Sequence, residues 1–161
     1  MTTLRLRYGI IVTGFLVATT AAFAHEGATG IVKERMEAMS NLGAAMKSLS
    51  KIVKGRVAYD AVMYQKLTDQ LERHGGANLT KLFPKGSLDK PTAAIPEIWQ
   101  DWNKFNSFAK SLSQRAKEMS MIAQNKSIQP ENRIDAMTKA YKNVGKICSA
   151  CHRDFRKEKK R

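Results

Sequence analysis

Residues 130–155 read PENRIDAMTKAYKNVGKICSACHRDF. Within them Ile134, Met137, Tyr141, Val144, Cys148, Cys151 and Phe155 recur at intervals of three and four, the period of a helix that buries one stripe. Pro130 suits the first helical position and Glu131 the positive end of the helix dipole. The spacing predicts a helix that continues to about Lys157. Its preceding break lies at 124–129.

Working back along the chain, the same Pro-Glu start recurs at Pro96-Glu97 and predicts a third helix. Its core face is read as Ile98, Trp102, Phe105, Phe108, Leu112 and Met119. A first helix is predicted from Gly30 to Lys54, with Val32, Met39, Leu42, Met46, Leu49 and Val53 on its buried stripe and Gly55 as the stop. A second begins at Asp60, a favourable N-cap, runs through Val62, Met63, Leu67 and Leu71, and ends at His74-Gly75-Gly76. Residues 78–95 turn to Pro, Gly, Lys and Ser and read as a long connection pegged by a few apolar side chains. Alternating strand patterns are scarce and no internal repeat is convincing, so the fold class expected is all-α, a four-helix bundle.

Ahead of this domain, Arg5 and Arg7 precede an apolar run from about Gly9 to Thr20 and then Ala22-Phe23-Ala24. Residues 1–24 therefore read as a secretory signal peptide with an A-x-A cleavage site, the run being shorter than the ~20 residues of a spanning helix. Residues 25–161 are then one mature domain, soluble after cleavage, and its location is expected to be the periplasm. Removing the two leader arginines lowers the formal charge from +14 to +12. Such a surface favours acidic partners or anionic membrane surfaces. Export and the lack of an aromatic-interleaved basic patch argue against nucleic acid.

Both cysteines of the chain lie in Cys148-Ser149-Ala150-Cys151-His152. This is the C-x-x-C-H signature of covalent haem attachment. On a helix, positions i and i+3 share a face, so two thiols can add to the vinyl groups along one edge of a porphyrin while His152 turns an imidazole nitrogen to the iron. Three other readings compete. A thioredoxin-like dithiol opens a helix after a strand, whereas this pair lies deep in the last helix. A structural zinc site needs four ligands, and the chain's other histidines, His25 and His74, lack matching spacing. A Cys148–Cys151 disulfide would be strained in helical geometry and leaves His152 without a reason.

An exported four-helix chain with this motif near its C-terminus resembles the cytochrome c-prime and cytochrome c-556 family. Shorter matches extend along almost the whole mature chain: Val32-Lys33-Glu34-Arg35, Tyr59-Asp60, Leu82-Phe83-Pro84 and Pro96-Glu97-Ile98-Trp99. The resemblance implies an up-down-up-down left-handed bundle that holds one haem c between helices, with His152 as iron ligand. It also implies that the distal side of the iron is supplied by the residue four positions after the matched arginine. Here that is Met39. An apolar residue in that place implies five-coordinate high-spin iron open to small gases. A methionine implies a six-coordinate, c-556-like centre, since a thioether favours ferrous iron and raises the potential.

Met39 as ligand competes with Met39 as core filler in a chain with eight methionines. Met36 is the rival if the first helix is rotated. Arg35 falls on the same inward spacing, where a charge needs a partner. The resemblance places a haem propionate near it, and a guanidinium reaching solvent is the alternative. Trp99 and Trp102 are read either as packing beside the cofactor or as ordinary core.

The leading expectation is a non-enzymatic electron-transfer cytochrome, basic enough to steer an acidic redox partner. Arg153, Arg156, Lys157, Lys159, Lys160 and Arg161 are docking candidates, against a reading as a solvated tail. A cytochrome that binds nitric oxide or carbon monoxide is the alternative. A copper enzyme using His25 as a new N-terminus is remote. The resemblance makes an antiparallel homodimer plausible.

Overall fold

The computed structural model describes residues 27–157. The expected signal peptide, His25 and the basic residues Lys159, Lys160 and Arg161 lie outside them. Six helices follow in order: α1 (Gly30–Val53), α2 (Ala61–Arg73), α3 (Gly76–Thr80), α4 (Glu97–Gln100), α5 (Trp102–Gln124) and α6 (Pro130–Phe155). The four long ones form a ring in which α1 and α5 each pack on both α2 and α6. This is the up-down-up-down left-handed four-helix bundle that the resemblance implies.

Local chemistry sets the boundaries. Gly55 adopts φ +66°, a left-handed conformation that ends α1 cheaply only because glycine has no Cβ. The Asp60 carboxylate accepts from the Met63 N–H at 2.6 Å and so caps α2. Pro130 opens α6 as expected. At the α2–α3 junction the chain passes so close to α5 that a Cβ on Gly75 would lie 2.8 Å from the Ser113 nitrogen, which explains the glycine.

The expected third helix is instead two. Asp101 (φ −123°, ψ 58°) leaves helical space after α4, and its carboxylate accepts from the Lys104 N–H at 3.2 Å to start α5 afresh. Trp102 thereby becomes the first residue of α5 and is 38% exposed, not a core residue. One further correction, at Ile134, concerns exposure. Ile134 is exposed because the first turns of α6 lie open to solvent, anchored by Arg133, which donates to the Ile122, Ala123 and Ile128 carbonyls. Val62 and Met63 also face solvent, and α2 buries Tyr64, Thr68 and Leu71 in their place.

The core is built from Leu49, Ile52, Tyr64, Leu71, Ile98, Phe105, Met119, Met137 and Val144, all essentially buried. Each such apolar side chain contributes roughly 1.5–3 kcal/mol by leaving water. Between α3 and α4, the stretch 91–95 is stitched to the end of α6: Ile95 N–H donates to the Phe155 carbonyl at 3.3 Å and Lys157 N–H to the Ala93 carbonyl at 2.8 Å. Ala94 and Arg156 make an antiparallel bridge there.

Candidate haem site

Between α1 and α6 lie two adjoining cavities, of about 610 and 220 Å³. The combined space falls within the range of small-molecule sites. Met39 and Gly43 of α1, with Cys151 and His152 of α6, line both. Cys148 lines the smaller and Arg35 and Met36 the larger. The structure thus gathers Cys148, Cys151, His152, Met39 and Arg35 around one space, although α1 and α6 stand at opposite ends of the chain.

Each position follows from helix geometry. Cys148 and Cys151 lie about one turn apart on α6 and His152 directly follows, with Cys148 and Cys151 half-buried and His152 exposed. Met39 follows Arg35 by one turn of α1 and precedes Gly43 by another. A Cβ on Gly43 would meet nothing within 4 Å. A mid-helix glycine costs about 1 kcal/mol relative to alanine, so its use here leaves clear space over the α6 motif. Sequence reasoning passed over Gly43, yet its i+4 relation to Met39 was a usable signal. It also missed the outer wall, made by Pro91, Thr92 and Ala94 of the loop and by Phe155 and Arg156.

Arg35 is only 3% exposed. Its Nε and Nη2 donate to the Leu82 carbonyl at 3.0 and 2.8 Å, and Nη2 also reaches the Ser87 carbonyl at 2.9 Å and its Oγ at 2.8 Å. The guanidinium lies 4.3 Å above the centre of the Phe83 ring. Burial lowers its pKa, but the group stays charged. The partner that the sequence demanded is therefore met in part by backbone carbonyls of the 82–92 loop. Nη1 retains the weakest bond, 3.4 Å to Thr92 Oγ1, beside the larger cavity. Arg35→Met should lower stability by about 2–3 kcal/mol, read as a shift in denaturant midpoint, because it leaves buried carbonyls unsatisfied.

Donor chemistry separates the competing readings of the motif. Both thiols are free. Burial pushes Cys148 up, and burial, then Cys148 and Asp154, push Cys151 up to about 12. A redox dithiol relies on a thiol pKa lowered at a helix N-terminus, whereas this pair lies in the last turns of α6 with both thiols shifted up, which counts against the dithiol reading. Although His152 is exposed as a whole residue, partial burial of its ring and then the Arg156 charge shift it down, which favours the neutral imidazole with a lone pair. No cluster of three or more His, Cys, Asp or Glu that could hold a metal occurs among the described residues, as the zinc reading would require. A space bordered by two neutral thiols, one imidazole and one thioether fits a haem.

Trp99 and Trp102 do not line either cavity. Trp99 packs on the core and donates through Nε1 to the Phe83 carbonyl at 3.0 Å. Of the two readings open for these side chains, ordinary packing holds for Trp99, and Trp102 stays partly exposed.

Residues 30–156 match the family model described as Cytochrome C'. A cytochrome c' of Rhodopseudomonas palustris is 29% identical over 135 residues, 81% of this chain and 84% of that protein. A cytochrome c-556 of Agrobacterium tumefaciens is 29% identical over 131 residues, 81% of this chain and 99% of that protein. The solved cytochrome c' of Rhodopseudomonas palustris superimposes with a TM-score of 0.69 at 28% identity, covering 83% of this chain and all of that one. With the motif, the bundle and the cavity agreeing, the chain belongs to the cytochrome c' family and is an electron-transfer haem protein with covalently attached haem c.

Proposed function

We propose that Cys148 and Cys151 would hold the haem by two thioethers, that His152 and Met39 would be its iron ligands, and that the protein passes single electrons between redox proteins. The observation that carries this reading is that, of the methionines among the described residues, Met39 alone lines both cavities together with Cys151 and His152. Met36 borders only the larger and Met46 only the smaller. Bound there, haem supplies a reversible one-electron ferric/ferrous couple.

The chain's own residues do the rest. His152, kept neutral, offers its lone pair. Met39 offers a soft sulfur that favours the ferrous state and raises the potential. Arg35 fixes the 82–92 loop and presents Nη1 to a propionate. The apolar flank of Ile98, Phe105 and Phe155 excludes water and limits reorganisation around the changing charge. We place the mature domain, residues 25–161, in the periplasm after loss of residues 1–24, as a non-enzyme serving acidic partners. No helix among the described residues is long and apolar enough to cross a membrane.

The alternative is a five-coordinate centre that binds nitric oxide or carbon monoxide. Its support is likeness, at 26% identity and a TM-score of 0.68, to a nitric oxide complex of a cytochrome c prime variant from Alcaligenes xylosoxidans. The absorption spectrum of the purified protein separates the two. A low-spin ferric spectrum with a sulfur-to-iron charge-transfer band is expected; a high-spin spectrum without that band overturns Met39 ligation.

A further inference from the structure

Beside the larger haem cavity, a groove of about 610 Å³ opens where α3, the following loop and the α4–α5 junction meet. Phe83, Trp99 and Trp102 form its apolar walls, with Lys81 and Lys85 beside them and no acidic side chain on the lining. These are the chain's two tryptophans. Each is held in place for a reason other than core packing alone. Trp99 is oriented by its bond to the Phe83 carbonyl, and Trp102 leans on Phe105 at 5.5 Å between ring centres while staying 38% exposed. Among the described residues neither lysine is in a salt bridge and neither ammonium lies over an indole; Lys81 Nζ donates to the neutral Asn78 Oδ1 at 3.2 Å, so both charges remain unneutralised.

We infer that this groove is a second ligand site, one that takes a planar aromatic anion. Indole faces stack on a flat ring, two ammonium groups oppose its negative charge, and the volume suits a small molecule. A neutral aromatic gains only the stacking and an inorganic anion only the charge. The site also adjoins the first one. Phe83 borders both spaces, and its ring packs edge-on against Phe105, a wall of the haem cavity, at 4.8 Å. One aromatic layer therefore separates the two ligands. The inference concerns binding alone and holds whatever ligates the iron.

Isothermal titration of the haem-loaded protein with naphthalene-2-sulfonate tests it, with naphthalene-2-methanol as the neutral match. The sulfonate should bind at one site per chain and shift both indole N–H signals in a nitrogen-15 correlation spectrum. Trp102→Ala should weaken it about tenfold. The pair Lys81→Gln and Lys85→Gln should weaken the sulfonate about fivefold and leave the alcohol unchanged. Met39→Leu should alter neither affinity, which separates this site from the iron. An absence of saturable binding, unmoved indole signals, or a lysine pair variant that still prefers the sulfonate overturns the inference. The lysine variant changes surface charge only, so the test survives if Trp102→Ala fails to fold.

Discussion

Replacing Met39 with leucine should turn a low-spin, six-coordinate centre into a high-spin one that binds carbon monoxide readily when reduced and has a lower reduction potential. The swap keeps volume and apolar character, and exchanges of this kind usually cost under about 1.5 kcal/mol, so the bundle should persist. What disappears is the sulfur of a residue that lines the same space as His152. Arg35 one turn earlier stays clamped on the 82–92 loop by its own bonds, so its contribution is untouched. Equal haem content and equal helicity make the spectra comparable. Should parent and variant share one high-spin spectrum and bind carbon monoxide alike, Met39 only packs and the gas-binding reading leads.

Changing the cysteines should have the largest effect on cofactor retention. Acidic organic solvent breaks ligation and unfolds the bundle but leaves thioethers intact, so the parent should keep its haem through such extraction. Cys148→Ser or Cys151→Ser should each retain less, and the double variant should release essentially all of it. His152→Ala should disturb the iron's spectrum more than retention, because both thioethers survive. Complete extraction from the unaltered protein would sink the covalent assignment.

The residues that were legible in the sequence were those whose role is set by local spacing. The stripe from Met137 to Phe155 gave both α6 and the orientation of its motif, and the Asp60 and Gly55 boundaries follow from side-chain and backbone chemistry within one turn. Met39 and Arg35 were found through a resemblance, and the fold brings both to the α6 motif. The break at Asp101 was not legible: Glu97 to Met119 keeps helical periodicity, and only the Asp101 backbone, with its carboxylate turned to Lys104, interrupts it. Arg35's partners were equally hidden, since backbone carbonyls 47 and 52 residues away carry no sequence signature. Nor could spacing show that Trp99 and Trp102 would form a groove of their own.

The bonds that tie residues 93–95 to 155–157 also impose an order of events. The outer wall of the haem space cannot be set until the last part of the chain is present, because its backbone partners are the Phe155 carbonyl and the Lys157 N–H. Bringing two such distant segments together carries a loop-closure cost that local helix formation does not. A chain emerging N-terminus first can therefore shape α1, α2 and α5 while this side stays open. Cys148 and Cys151 belong to that same last segment, so the residues that anchor the haem and the bonds that complete its outer wall arrive together.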